Sequence, residues 1–96
     1  GASKKDYIER KISNELEGIM DGRKATLIVE EGKTIPLHND EDAGEYSNQV
    51  IAPIIAEGDA IGAVMILSKT PGEKFSELEL KLAETAAAFL GKQMEQ

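Results

Sequence analysis

The stretch QVIAPIIAEGDAIGAV at residues 49–64 limits the possible folds of this chain more than any other. Val50–Ala56 and Ile61–Leu67 read as antiparallel strands of one long hairpin, joined across Glu57-Gly58-Asp59-Ala60, with Gly58 able to take the positive φ that such turns require. Successive strand residues point to opposite faces, and here Val50, Ala52 and Ile54 on one face and Ile51 and Ile55 on the other are all apolar. A strand that is apolar on both sides has to be covered on both, so the hairpin is expected near the centre of a sheet. Pro53 has no N–H for the ladder, which places a bulge or an unpaired position beside it. Gly62 is expected to let a helix or side chain approach the backbone closely.

The remaining segments supply the cover. Ser3, with Asp6 three residues on, is a weak capping box that opens a helix whose stripe is Ile8, Ile12, Leu16, Ile19 and Met20, with Gly22 as terminator. Residues 25–30, ATLIVE, read as a strand, followed by a turn at Glu31-Gly32 and a short second strand at Thr34–Leu37 in which Pro36 indicates an edge. Residues 38–48 are acidic, have no apolar period and read as a surface loop. After a loop at 69–75, Ser76 and Glu79 form a full capping box for the last helix. That helix carries two adjoining stripes: Leu78, Leu82, Ala86 and Phe89, then Leu80, Ala83, Ala87, Leu90 and Met94. Two stripes imply two surfaces to cover, a sheet on one side and another helix on the other. The fold class that follows is α/β in composition and α+β in arrangement: one domain with a mainly antiparallel sheet and helices packed on it.

Composition narrows the function classes. A formal net charge of −7 repels phosphate backbones, so direct nucleic-acid contact by this fragment is not expected. The sequence has no cysteine, which removes disulfides, thiolate nucleophiles and cysteine-based zinc sites. Apolar runs fall far short of the roughly 20 residues a spanning helix needs, and no signal-peptide core opens the chain, so a cytoplasmic location without membrane contact is expected.

Few residues suggest chemistry. Gly32-Lys33-Thr34 copies the end of a phosphate-binding loop, but Leu27 stands where the leading glycine belongs and Ile35-Pro36 cannot open the required helix. Asp40, Glu41, Asp42 and Glu45 crowd carboxylates together without calcium-loop spacing, because the twelfth residue from Asp40 is Ile51. His38 is the sole histidine and has no triad or metal motif around it. No enzyme and no metal site is expected, and no cofactor is implied. Arg23, between the first helix and the first strand, is a weak candidate for an anionic ligand, with a salt bridge to Asp21 or a nearby Glu as the commoner fate.

Pro53, Ile54, Gly58, Ile61, Gly62, Ala63 and Val64 carry a P-I-x-x-x-G-x-x-I-G-A-V pattern that resembles the penultimate strands of a GAF domain. SKKDYIERKIS, QVIAPIIAEGDAIGAVMILSK and ETAAAFLGKQMEQ are similar, across essentially the whole chain, to the C-terminal regulatory domains of the stage V sporulation protein T family, transcription factors of endospore-forming Firmicutes. The resemblance implies a partial GAF-like regulatory domain over 1–96, with an AbrB-type DNA-binding domain outside the chain. It also implies that the GAF domain begins before Gly1, so that the strand Ile61–Leu67 has lost a neighbour and presents an apolar edge. A homo-oligomer is therefore expected, a dimer here and a tetramer for the full-length family. The candidate interface is Ile61, Ala63 and Met65 on the edge, with Leu82, Ala86, Phe89 and Leu90 on the terminal helix. GAF domains in general hold small molecules between sheet and helices; no ligand is assigned here, and a pure assembly module with a degenerate pocket is the rival reading.

Overall fold

In the computed structural model, which describes residues 12–30, 33–38, 44 and 46–95, the first strand of the hairpin holds the centre of the sheet and the second, expected near the centre too, lies at its edge. Strand β2 (Asn48–Ala56) pairs antiparallel with β3 (Asp59–Ser68) along its whole length, and β1 (Thr26–Ile28) adds antiparallel on its other side. The order is β1-β2-β3. Helix α1 (Asn14–Gly22) covers one face and helix α2 (Glu77–Met94) the other, giving a three-layer α+β fold.

The alternation along β2 assigns the two cores. Val50 and Ala52 pack against Ala83 and Ala87 of α2, while Ile51 packs against Leu16 of α1 and Leu37. Val50 and Ile51 have no exposed surface, and burying each contributes roughly 1.5–3 kcal/mol. Both faces of the central strand are thus covered, as its apolar pattern requires.

The turn is tighter than the sequence suggests. Only Glu57 and Gly58 lie between the strands, at φ 52° and 85°, and the two positive values give the turn the twist a two-residue hairpin needs. A bulge follows, because Ile54 pairs with Gly62 but Ile55 with Ala60, leaving Ile61 as the extra residue. Pro53 itself pairs with Ala63, one position from the bulge. On the other flank β1 stops at Thr26↔Ile51, two residues short of Pro53, so a missing donor there interrupts no ladder.

Gly62 is not the close-approach glycine. A Cβ there would sit 3.5 Å from Ile54 Cδ1, an ordinary contact with its cross-strand neighbour. That role falls to Gly91 in α2, where a Cβ would lie 2.2 Å from the carbonyl oxygen of Ile55.

Three other expectations are corrected. The expected helix from Ser3 cannot run unbroken to Gly22, because Ile12 bridges His38 and Ser13 is extended; the start at Ser3 and Ile8 lies outside the described residues. Ser13 is the cap: its hydroxyl accepts from the Leu16 N–H and donates to the Pro36 carbonyl, and its own N–H donates to Leu37 O at 3.0 Å. At the other end Gly22 remains helical, and the left-handed residue is Arg23, at φ 58°. Its guanidinium offsets the cost of that conformation by donating from Nε to Gly58 O at 2.8 Å and from Nη1 to Asp21 O at 3.0 Å.

Thr34–Leu37 forms no ladder strand. Its pairing partner is a side chain: the fully buried Gln49 accepts from Ile35 N–H at 2.8 Å and donates to Ile35 O at 2.7 Å, as a neighbouring strand would. Thr34 is buried too and donates to Tyr46 O at 2.6 Å. Asn48 does a similar job for the loop before α2, donating to Glu73 O at 2.7 Å and accepting from Phe75 N–H at 2.8 Å.

The capping box at Ser76 and Glu79 is formed on both sides. The Ser76 N–H, donating to the carboxylate, holds Glu79 below the usual carboxylate range, with the Ser76 hydroxyl adding to the effect. A carboxylate depressed on folding adds stability above its unfolded pKa and loses it as pH falls through the folded one. Acidification from about pH 5 to about pH 3 should therefore lower the melting temperature of the wild type more than that of Glu79→Gln. Parallel thermal melts by circular dichroism check this; equal slopes would contradict it.

Candidate functional site

Helix α2 turns small residues inward. Ala83, Ala87 and Gly91, one turn apart, are buried on the sheet, and Leu80 is half-buried beside them. At about 100° per residue, Leu78, Leu82 and Phe89 fall within about 40° of one another on the opposite side of the helix. Their exposures are 63%, 56% and 63%. The outward side of this helix therefore carries the bulkier stripe. Leu90 and Met94, which the sequence groups in one stripe with Ala83 and Ala87, are exposed, and Ala86 is half-buried.

The edge residues divide. Among the described residues no strand pairs with the outer side of β3. Ile61, Met65 and Leu67 are exposed along it, whereas Ala63 is half-buried against the α1 core. This edge carries neither proline nor lysine, and apart from Asp59 at its start it is uncharged; the bulge at Ile61 is its only visible guard against pairing with another chain. Leu67 and Leu78 belong to these surfaces although the expected interface set omitted them.

Arg23 reaches across to the β2–β3 turn. Besides its two carbonyl acceptors, its Nη2 lies 3.9 Å from Asp59 Oδ1, with both side chains well exposed, so the acidic neighbour is Asp59 and not the Asp21 carboxylate. It lines a cleft of about 400 Å³ between the end of β2 and the C-terminal half of α2. A second cleft, of about 280 Å³, lies at the opposite end of the sheet around Tyr46, Lys69 and Lys74, with the Lys69 ammonium 5.3 Å from the Tyr46 ring centroid.

Residues that suggested phosphate, metal or acid–base chemistry do not gather. Gly32, Asp40, Glu41, Asp42 and Glu45 lie outside the described residues. Thr34 is engaged with Tyr46, and His38 sits half-buried in its bridge to Ile12. Among the described residues no group of three or more His, Cys, Asp or Glu could hold a metal ion, and no helix is long and apolar enough to cross a membrane.

Comparison with known sequences decides the family. The model of the C-terminal domain of stage V sporulation protein T, a transcription factor, matches residues 1–95. This chain belongs to that family. Stage V sporulation protein T of Bacillus subtilis (strain 168) is 47% identical over 98 residues, covering 100% of this chain and 52% of the relative. The chain thus spans about half the length of that relative, in its C-terminal half. The family is that of the C-terminal domain of a transcription factor.

Proposed function

We propose that this chain is the regulatory and oligomerising domain, GAF-like and partial, of a sporulation transcription factor whose DNA-binding domain lies outside it. The observation that carries the reading is the outward stripe of α2, three large apolar side chains each more than half exposed in the single chain. A stripe of this kind on a helix is normally covered. A second copy is the occupant we favour. Regulators that read paired half-sites are two-fold symmetric, and an isologous contact through α2 would set the spacing of the DNA-binding domains. The open edge of β3 is a separate surface, and two distinct isologous contacts would generate a dimer of dimers.

The test is solution mass by light scattering across a hundredfold concentration range, with melting followed in parallel. A concentration-dependent dimer is expected; a sharp monomer mass at tens of micromolar would sink the reading. Leu82→Glu combined with Phe89→Asp should return the mass to that of a monomer. Because both side chains are exposed in the single chain, the isolated fold should keep its circular dichroism spectrum. The rival, a pure assembly module with an empty pocket, shares the mass result but predicts no thermal shift with any small molecule.

A further inference from the structure

β1 ends its pairing at Ile51 while β2 continues to Ala56, which leaves the β1-side flank of β2 without a strand among the described residues. The cleft of about 400 Å³ borders that end of β2, and its size falls in the range of small-molecule sites, roughly 300–1,000 Å³. Ala52, Pro53, Ile55 and Ala87 give it an apolar floor. Charges stand around it: Arg23 from the α1–β1 junction, Glu84 and Lys92 two turns apart on α2, and Glu95 at the end of that helix.

These charged groups are not equally occupied. Glu95 accepts from the Glu57 N–H at 3.0 Å. Arg23 spends two of its five N–H donors on Gly58 O and Asp21 O, which fix the guanidinium at the mouth of the cleft, and its remaining contact is the long, exposed approach to Asp59. Among the described residues no side-chain hydrogen bond or ion pair engages Lys92 or Glu84. An anchored guanidinium with donors to spare, above an apolar floor and with an ammonium on the same cleft, has the donor set that a carboxylate takes.

We propose that this cleft binds a small monocarboxylate with an apolar body, its carboxylate on the Arg23 fork within the field of Lys92 and its body against Ile55 and Ala88. Glu84 and Glu95, with Asp59 3.9 Å from Arg23 Nη2, outnumber the two cations, so a polyphosphate or a dicarboxylate is repelled more than a monocarboxylate, whose binding rests on the directed N–H donors of Arg23. The site is small and half-open, so selectivity rests on one charge and one apolar contact.

Hexanoate is the probe, titrated into the 96-residue chain and followed by two-dimensional amide NMR, with hexanol and hexylammonium as controls. Saturable shifts clustered at Arg23, Ala52, Ala87 and Ala88 are expected from hexanoate alone. Lys92→Gln, at an exposed position, should weaken binding at least about threefold, and Arg23→Lys, which keeps the charge and loses the fork, by about tenfold. The proposal is overturned by shifts centred on Leu82 and Phe89, by equal shifts from hexanol, by an affinity that Lys92→Gln leaves unchanged, or by no binding. Solution mass tests the assembly reading, so either can fail without the other.

Discussion

Gly91→Ala is expected to lower the melting temperature by about 10–20 °C, although alanine is the better helix former. Helix propensity alone favours alanine over glycine by about 1 kcal/mol. Against this, the new Cβ would lie 2.2 Å from the Ile55 carbonyl oxygen and 3.2 Å from its carbon. Both are backbone atoms of the central strand, and no rotamer can move them aside. Relief has to come from lifting α2, which would draw Ala83 and Ala87 away from Val50 and Ala52. Overpacking typically costs about 1–3 kcal/mol and more when backbone must move, so a net loss of about 2–3 kcal/mol is expected. For a domain near this size each kcal/mol corresponds to roughly 4–8 °C. Gly18→Ala is the matched control: its Cβ meets nothing within 4 Å, and the same substitution there should raise stability. Thermal melts of the two variants side by side decide it, and a Gly91→Ala protein as stable as the wild type would mean that α2 does not lie this close to β2.

The same residue shows what the sequence could and could not reveal. Two apolar stripes on the terminal helix were legible, because they depend only on the helical period. Which stripe faces the sheet was not. Hydrophobicity favours burying Leu78, Leu82 and Phe89, whereas close approach to a backbone demands small side chains, and Ala83, Ala87 and Gly91 at four-residue spacing meet that demand. That spacing was the available signal. The hairpin and the Ser76–Glu79 box were legible for a related reason: each is specified by residues near in sequence, and the structure forms both.

Features set by distant partners were hidden. Ser3 and Ser13 both precede helical patterns, and Ser13 is the observed cap of α1 because Pro36 and Leu37 satisfy its remaining groups from across the fold. Its local sign was the pair of acids Glu15 and Glu17 in the first turn. Arg23 occupies the position a glycine usually takes, because its side chain reaches a carbonyl 35 residues away. The cleft could not be foreseen at all, since it exists only where β1 ends early against a longer β2.

Gln49→Leu should cost about 2–6 kcal/mol, from two lost hydrogen bonds and little lost volume. Thr34–Leu37 opens with two β-branched residues, and the Gln49 side chain meets both backbone groups of the second, Ile35. Leucine would leave the Ile35 N–H and C=O unpartnered in a half-buried setting, at about 1–3 kcal/mol each. Gln49→Glu separates this mechanism from a packing effect. The carboxylate keeps the acceptor but loses the donor, and it places a charge at a position with no exposed surface. When protonated it has an O–H to give to Ile35 O, so the folded state favours the neutral form and the pKa of the introduced group is raised on folding. Such a group helps folding fully below its unfolded pKa, about 4.3, and that help is lost as pH rises toward the raised folded value. The gap in melting temperature between wild type and Gln49→Glu should therefore be small near pH 4 and wide near pH 7. The Gln49→Leu gap should stay constant over the same range. If the two variants showed the same pH dependence, the Gln49 side chain would be filling space, and the extended segment would have to be held by something other than this amide.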